Sequence, residues 1–219
     1  MKYTNLGFWK LKFLTVLLLL FTAYSVQAIG LGDLGGMLGG GGTPDFSGKQ
    51  TELTGSLRTA LINLGKSQVL MAKALGLDEQ AILAEQNVKN MESGDMGTKA
   101  EVEKSIEVSA SVQEEIAKET AKKTILDAES KAVFIKSTPF YIKGVKGSVQ
   151  TGKDAAEIGE GMSSASPAAL LKVGALVTIV NNLPDLISKL SSSTGQIIDF
   201  MTVNEIDNSE MKDKLADAF

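Results

Sequence analysis

LTGSLRTALINLGKSQVLMAKALG, residues 53–76, has the most regular apolar pattern in the chain. Its larger side chains recur at intervals of four and three residues, so on a helix they share one face. They are Leu53, Leu57, Leu61, Leu64, Gln68, Met71 and Leu75. Gly76 comes next, and glycine is common just after a helix. The pattern predicts an amphipathic helix that begins near Gln50 and stops at Gly76.

Two further helices are predicted after this one. The second has Asp78 as its candidate cap and Gly94 as the turn after its last residue. Its apolar positions are Ala81, Ala84, Val88 and Met91. The third is expected from Thr98 to about Ser137, because Glu101 stands three residues after Thr98, the spacing of a capping box. Its apolar side chains are small, which predicts that a facing helix approaches closely.

An aromatic cluster surrounds Pro139, which is expected to break or kink the chain, with Ser137 or Thr138 capping the segment after it. Two interpretations of the cluster are open. We favour an aromatic plug that fills the core at the kink, because single apolar clusters usually fill cores. The alternative is a small binding surface. The aromatic residues concerned are Phe134, Phe140 and Tyr141.

Residues 147–154, GSVQTGKD, come within one position of the G-x-x-x-x-G-K-[ST] loop that binds nucleotide phosphates. Such a loop needs a strand before it, and a hydroxyl after the lysine that holds Mg²⁺. Asp154 stands where that hydroxyl is required, and no run of Val and Ile ending in Asp supplies the second acidic ligand. We therefore expect no nucleotide binding here.

The same glycines support another interpretation, because small residues recur here every four positions. On a helix this spacing makes a groove that a second backbone can approach closely. The residues are Gly144, Ser148, Gly152 and Ala156. Together with Phe140 and Tyr141, the residues Gly144, Ser148 and Gly152 are the candidate partner or helix-groove contacts. Glycine is a poor helix former, so the helix is expected to fray near Gly159.

Three more helices are expected towards the C-terminus. Ser166 followed by Pro167 is typical of a helix start. Residues 168–180, AALLKVGALVTIV, are apolar nearly all round and are interpreted as the central core helix, since they are too few to span a bilayer. Asn182 and Pro184 are expected to open another helix, and Ser209 a short terminal one.

The N-terminus has the pattern of a secretory signal. Three lysines precede the apolar run 13–23, and Val26-Gln27-Ala28 provides the small residues that signal peptidase accepts, so cleavage is expected after Ala28. An uncleaved membrane anchor is the alternative. Residues 29–48 form a glycine-rich arm, interpreted either as flexible or as an apolar segment that orders on a partner. Its G-x-G-x-x-G match, Gly30 to Gly35, reflects glycine density, because no strand precedes it.

The composition restricts the chemistry. Loss of three lysines with the signal would leave 19 basic and 26 acidic residues, a net charge of −7, which argues against nucleic-acid binding. The chain contains no histidine and no cysteine. That excludes Ser-His-Asp and Cys-His catalytic systems and the usual zinc and haem sites. We therefore expect neither an enzyme nor a cofactor.

The predicted fold is all-α: a single-domain antiparallel bundle of about five to six helices over residues 49–206, then a short helix within 207–219. The predicted function is that of an exported, non-enzymatic binding or scaffolding component of the bacterial cell envelope, periplasmic or secreted. Its partner would be an envelope protein or lipid, with no nucleotide or nucleic acid. The alternative is a secreted membrane-active protein, which forms pores or binds lipid.

Overall fold

The computed structural model describes residues 46–94, 96–162 and 165–219. Within these ranges every regular element is an α-helix, which confirms the predicted all-α class. The seven helices are α1 (Phe46–Ala74), α2 (Asp78–Glu92), α3 (Lys99–Ala121), α4 (Ala128–Met162), α5 (Pro167–Lys172), α6 (Gly174–Val203) and α7 (Ser209–Leu215). The signal peptide and residues 29–45 of the arm lie outside the described residues. Residues 46–48, assigned to the arm from sequence, are helical.

Helix α1 lies antiparallel to both α2 and α4. Gly65 of α1 faces Val88 of α2, and Arg58, two turns earlier, reaches the carbonyl oxygen of Met91 at 2.5 Å. On the α4 side, a Cβ added at Gly144 would lie only 2.6 Å from the backbone nitrogen of Leu64. The α1 and α4 backbones therefore approach as closely as the recurrence of small residues predicted.

Helix α6 lies antiparallel to α4 and runs in the same direction as α3. Near the start of α6, Gly174 faces Lys99 at the start of α3. At the other end, Asn204 Nδ2 donates to the Thr124 carbonyl at 3.1 Å. The five long helices therefore alternate in direction along the chain, and α3 and α6 become neighbours that point the same way.

The apolar stripe that defined α1 faces the core. Leu53, Leu57, Leu61, Leu64, Gln68 and Met71 are buried, and Leu75 is partly buried against the core. The rings of Phe134 of α4 and Phe200 of α6 pack against each other, with centroids 5.3 Å apart and planes tilted by 42°. Both rings are fully buried, so this part of the aromatic cluster fills the core as expected.

Several predicted helix ends are confirmed. Gly76 and Gly94 adopt φ values of +71° and +111°, the left-handed region that glycine enters without strain. The Thr98 hydroxyl accepts a hydrogen bond from the Glu101 amide, and the Glu101 carboxylate accepts one from the Thr98 amide, which completes the capping box. Asp78 is not the cap of α2, since that position is Leu77 and no side chain caps it.

The predicted third helix ends too late. Helix α3 stops at Ala121 instead of Ser137, and Lys123 takes a φ of +56°. Asn204 holds the turn, because its Oδ1 accepts from the Leu126 amide at 2.7 Å. Asp127 then caps α4 by accepting from the Ser130 amide at 2.7 Å. A partner far along the chain therefore fixes this break, and no glycine or proline marks it.

Neither internal proline ends a helix. Pro139 lies inside α4 and Pro184 inside α6, so the predicted break at Pro139, the cap at Ser137 or Thr138 and the helix start at Asn182 are wrong, whereas the alternative of a kink at Pro139 stays a prediction. Each proline removes one hydrogen bond from its helix. Fully buried side chains on both sides, such as Leu183 and Leu186 around Pro184, keep the helix on the core. Helix α4 also continues past Gly159 to Met162 instead of fraying.

The predicted core helix over residues 168–180 is two elements. Ser166 caps α5 by accepting from the Ala169 amide, and Pro167 is its first residue, as expected. However, α5 contributes no buried residue, and Leu171 is 85% exposed. Burial begins at Val173 and continues in α6. The apolar composition therefore predicted the core correctly only from Val173 onward.

Candidate functional site

A chain of buried polar side chains connects all five long helices, and we call it the polar core. It begins where Asn87 Nδ2 of α2 donates to the Ser105 carbonyl oxygen and the Ser109 hydroxyl of α3, at 3.2 and 3.3 Å. Gln68 Nε2 of α1 donates to the Ser109 carbonyl oxygen at 2.7 Å and to Gln113 Oε1 at 3.2 Å. Both amide side chains are therefore paired inside the bundle.

The polar core continues through α6 to α4. Gln113 Nε2 donates to the Ser193 hydroxyl at 2.9 Å. The Tyr141 hydroxyl lies 3.0 Å from Thr194 Oγ1 and 3.4 Å from Ser193 Oγ. Burial raises the pKa of the Tyr141 phenol, and the hydrogen bonds to Ser193 and Thr194 offset part of that rise. The phenol is therefore neutral at physiological pH and available as a hydrogen-bonding group.

The energetic significance of the polar core lies in its completeness. A satisfied buried hydrogen bond adds only about 1 kcal/mol, whereas a buried polar group left unpaired costs about 1–3 kcal/mol. Each link therefore requires its neighbours in place, which ties the register of the five helices together.

A groove opens above one end of the polar core, between α3 and α6. We call it the α3–α6 groove; its volume is about 300 Å³. Gln113 and Ser193, both buried, form its polar base, and Ala117 of α3 forms an apolar wall. Glu114, Lys118 and Lys189 stand at its rim. Gln113 and Ser193 remain almost fully buried beneath it, so the polar core stays enclosed at the groove.

The rim carries a bridged set of charges. The two oxygens of Glu114 lie 3.0 Å from Lys118 Nζ and 3.6 Å from Lys189 Nζ. The hydrogen bond from Lys118, assisted by the positive charges of Lys118 and Lys189, lowers the pKa of Glu114. All three side chains are well exposed to solvent. Exposed pairs of this kind contribute little stability, about 0–1 kcal/mol each, so they exchange partners readily.

The structure separates the five residues singled out from sequence. Gly144 and Ser148 are buried, and Gly144 packs against Leu64 of α1. Gly152 faces Ile187 of α6. The groove inferred from the small residues is thus filled by helices of the same chain. The Ser148 hydroxyl is buried, and within the described residues no hydrogen-bond partner is found for it.

The two aromatic candidate residues differ in burial. Tyr141 is fully buried and belongs to the polar core, whereas Phe140 is only half-buried. Residues 147–154 lie within α4, where their backbone amides are engaged in the helix. They do not form the loop that a phosphate site needs.

Sequence reasoning missed most of the polar core. The sequence pattern placed Gln68 correctly on the buried face of α1, but it gave no indication of the side chain's partners. Gln113 and Asn87 give no comparable signal in sequence. Their partners lie between 18 and 80 residues away.

The described residues contain no cluster of acidic side chains suited to a metal ion, and none of their helices is long and apolar enough to cross a membrane. Comparison with protein families, curated proteins and solved structures finds no match for this chain.

Proposed function

We propose that the chain is an exported, non-enzymatic helical bundle of the bacterial cell envelope that binds or scaffolds another envelope component. In this proposal the signal peptide is cleaved after Ala28, and the mature single-domain bundle acts in the periplasm or outside the cell. One observation carries the binding role: helix α5 has the apolar sequence PAALLK, yet none of its residues is fully buried, and Leu171 is exposed while Leu170 packs partly against the core.

The exposed face of α5 centres on Leu171, the most exposed large apolar side chain among the described residues. Helix α5 leads into α6, whose Leu176 amide donates to Gln50 Oε1 near the start of α1. The start of α1 and the start of α6 therefore lie at the same end of the bundle, and α5 joins that end.

A sedimentation experiment tests this role. The full chain is mixed with washed envelope membranes, and the fraction that pellets is measured. We expect Leu171→Asp to lower the bound fraction about tenfold, since burial of a leucine contributes about 1.5–3 kcal/mol. Ile82→Asp is the matched control, because Ile82 is 56% exposed on α2. Failure of the unaltered chain to pellet, or equal losses in both variants, would contradict the proposal.

A membrane-active role is the second candidate, supported by the run 173–184, which begins just after α5 and carries no charged side chain. Release of that run from the core would place α5 and the first half of α6 in lipid. Dye-loaded vesicles of extracted envelope lipid separate the two roles. Leakage caused by the unaltered chain and abolished by Leu171→Asp supports the membrane-active role, and intact vesicles count against it.

A further inference from the structure

The solvent-facing side of α4 carries lysines and no carboxylate over most of the helix. Residues 130–153 contain no Asp or Glu, although acidic residues outnumber basic ones in the whole chain, 26 to 22. Four exposed lysines of this segment share one side of the helix and extend over about 25 Å. We call this side the lysine face of α4; its lysines are Lys136, Lys143, Lys146 and Lys153.

The lysine face has no anionic partner of its own. Lysines of α3 pair with glutamates of the same helix, but within the described residues no ion pair is found for any lysine of the lysine face. Asp213 and Asp217 of α7 line a depression beside Lys146 without forming one. Asp154, at the end of the face, accepts from Gln150 at 2.8 Å. The ammonium groups are therefore available to an external anion.

Exposed apolar side chains lie among these lysines. Ile135 is 51% exposed, and Pro139, about one turn later, is exposed as well. Phe140, the next residue, is half-buried. Basic side chains with apolar ones between them are typical of helices that lie on a membrane, where the charges meet lipid headgroups and the apolar groups reach the start of the acyl layer.

A membrane surface fits the lysine face better than a nucleic acid does. Proteins that bind single strands combine basic side chains with exposed aromatic rings for stacking, and arginine is the usual reader of bases. The lysine face contains no arginine and no fully exposed aromatic ring. The chain also has a net charge of −4, which repels a polyanion that could wrap around it. A planar membrane meets one face only.

We propose that the lysine face of α4 binds the surface of a membrane that contains anionic phospholipid. The lysine ammonium groups contact headgroup phosphates, and Ile135 enters the headgroup layer. Each lysine held near such a surface raises the affinity about fivefold. This inference rests on the envelope role proposed above and deepens it, because it names anionic lipid as a partner and assigns it to α4 instead of α5.

Sedimentation with sucrose-loaded vesicles tests the proposal. The full chain is mixed with vesicles of phosphatidylcholine, alone or with phosphatidylglycerol added, and the pelleted fraction is measured. We expect binding to the anionic vesicles to be at least about tenfold tighter, and the difference to vanish in about 1 M salt, where the Debye length is about 3 Å. Equal binding to both lipids would overturn the proposal. A mobility shift of duplex DNA in place of vesicle binding would assign the face to nucleic acid instead.

A matched pair of double variants assigns the binding to α4. Lys143→Gln with Lys146→Gln should weaken binding to anionic vesicles about 25-fold, at about fivefold per lysine. Lys104→Gln with Lys118→Gln makes the same change in net charge at exposed positions of α3, and it should leave binding unchanged. The N-terminal apolar run is the same in both, so it adds equally to both. Equal losses in the two double variants would overturn the proposal.

Single variants separate this inference from the role of α5. Ile135→Ser should weaken vesicle binding about threefold, whereas Ile82→Ser, at a side chain of similar exposure on α2, should not. Leu171→Asp should bind the protein-free vesicles as the unaltered chain does, whatever its effect on binding to envelope membranes. A loss in Leu171→Asp as large as that of the α4 double variant would place the contact on α5 and overturn the proposal.

Discussion

Two helix pairs of this bundle are held together by opposite means. Helices α1 and α4 meet through backbone and small side chains, with Gly144 against Leu64 and Gly147 against Ala60. Helices α3 and α6 meet through a hydrogen bond between Gln113 and Ser193, and a groove remains above it. The first interface leaves no space for an added atom, and the second leaves open space. The difference indicates that the α1–α4 contact tolerates no added atom at these positions, whereas the surface between α3 and α6 has room for one.

The largest effect is expected from one added carbon at the tight interface. In Gly144→Ala the new methyl group would lie 2.6–2.9 Å from the backbone and Cβ of Leu64, so α1 or α4 must move. Overpacking of this kind typically costs about 1–3 kcal/mol, and we expect about 3 kcal/mol because the obstacle is backbone. Urea unfolding measures the loss.

Gly55→Ala is the matched control for that experiment, since nothing lies within 4 Å of a Cβ added there in α1. Alanine is the better helix former, so this variant should gain about 1 kcal/mol. Equal stabilities for the two variants would mean that the α1–α4 contact is looser than described.

The second-largest effect is expected from a substitution that breaks the hydrogen bonds between α3 and its neighbours. Gln113→Leu removes the acceptor of Gln68 and the donor to Ser193, and leaves both of these buried groups short of a partner. We expect a loss of about 2 kcal/mol in the free energy of unfolding. The double variant Gln68→Leu, Gln113→Leu should lose less than the sum of the single variants, because two paired groups leave together. Strict additivity would show that the two amides are not coupled.

These two interfaces also show which features of the fold could be predicted from the sequence. The recurrence of Gly144, Ser148 and Gly152 predicted a close helix contact, because small residues at a fixed spacing are a local pattern. The stripe in residues 53–76 predicted α1 for the same reason. A local pattern does not show which other part of the molecule its residues contact. Sequence alone therefore left open whether the small-residue groove faced the outside or another part of the chain.

The parts that were missed depend on residues far apart in sequence. The break between α3 and α4 depends on Asn204, which lies 78 residues after Leu126, the residue it holds. The internal prolines were misjudged because buried side chains on both sides outweigh the single hydrogen bond that each proline removes. The exposure of α5 was missed because composition measures how apolar a segment is and says nothing about what covers it.

Smaller changes in the free energy of unfolding are expected when a buried serine from each interface is replaced by alanine. Ser193 accepts from Gln113 and donates to the Leu190 carbonyl at 3.2 Å, so Ser193→Ala should lose about 1.5 kcal/mol. Ser148 is equally buried, yet its hydroxyl has no partner within the described residues. Ser148→Ala should therefore gain up to about 1 kcal/mol. Changes of the same sign in the two variants, measured by thermal or urea unfolding, would contradict the contrast between the interfaces.

The smallest change in the free energy of unfolding is expected for Ala117→Leu. Ala117→Leu adds three carbons, but they enter the α3–α6 groove, so the free energy of unfolding should change by no more than about 0.5 kcal/mol. Ala60→Leu makes the same replacement where α1 meets Gly147, and it should cost about 3 kcal/mol. If Ala117→Leu were as damaging as Ala60→Leu, the groove would be closed in solution. The contrast between a tightly packed α1–α4 interface and an open space between α3 and α6 would then be lost.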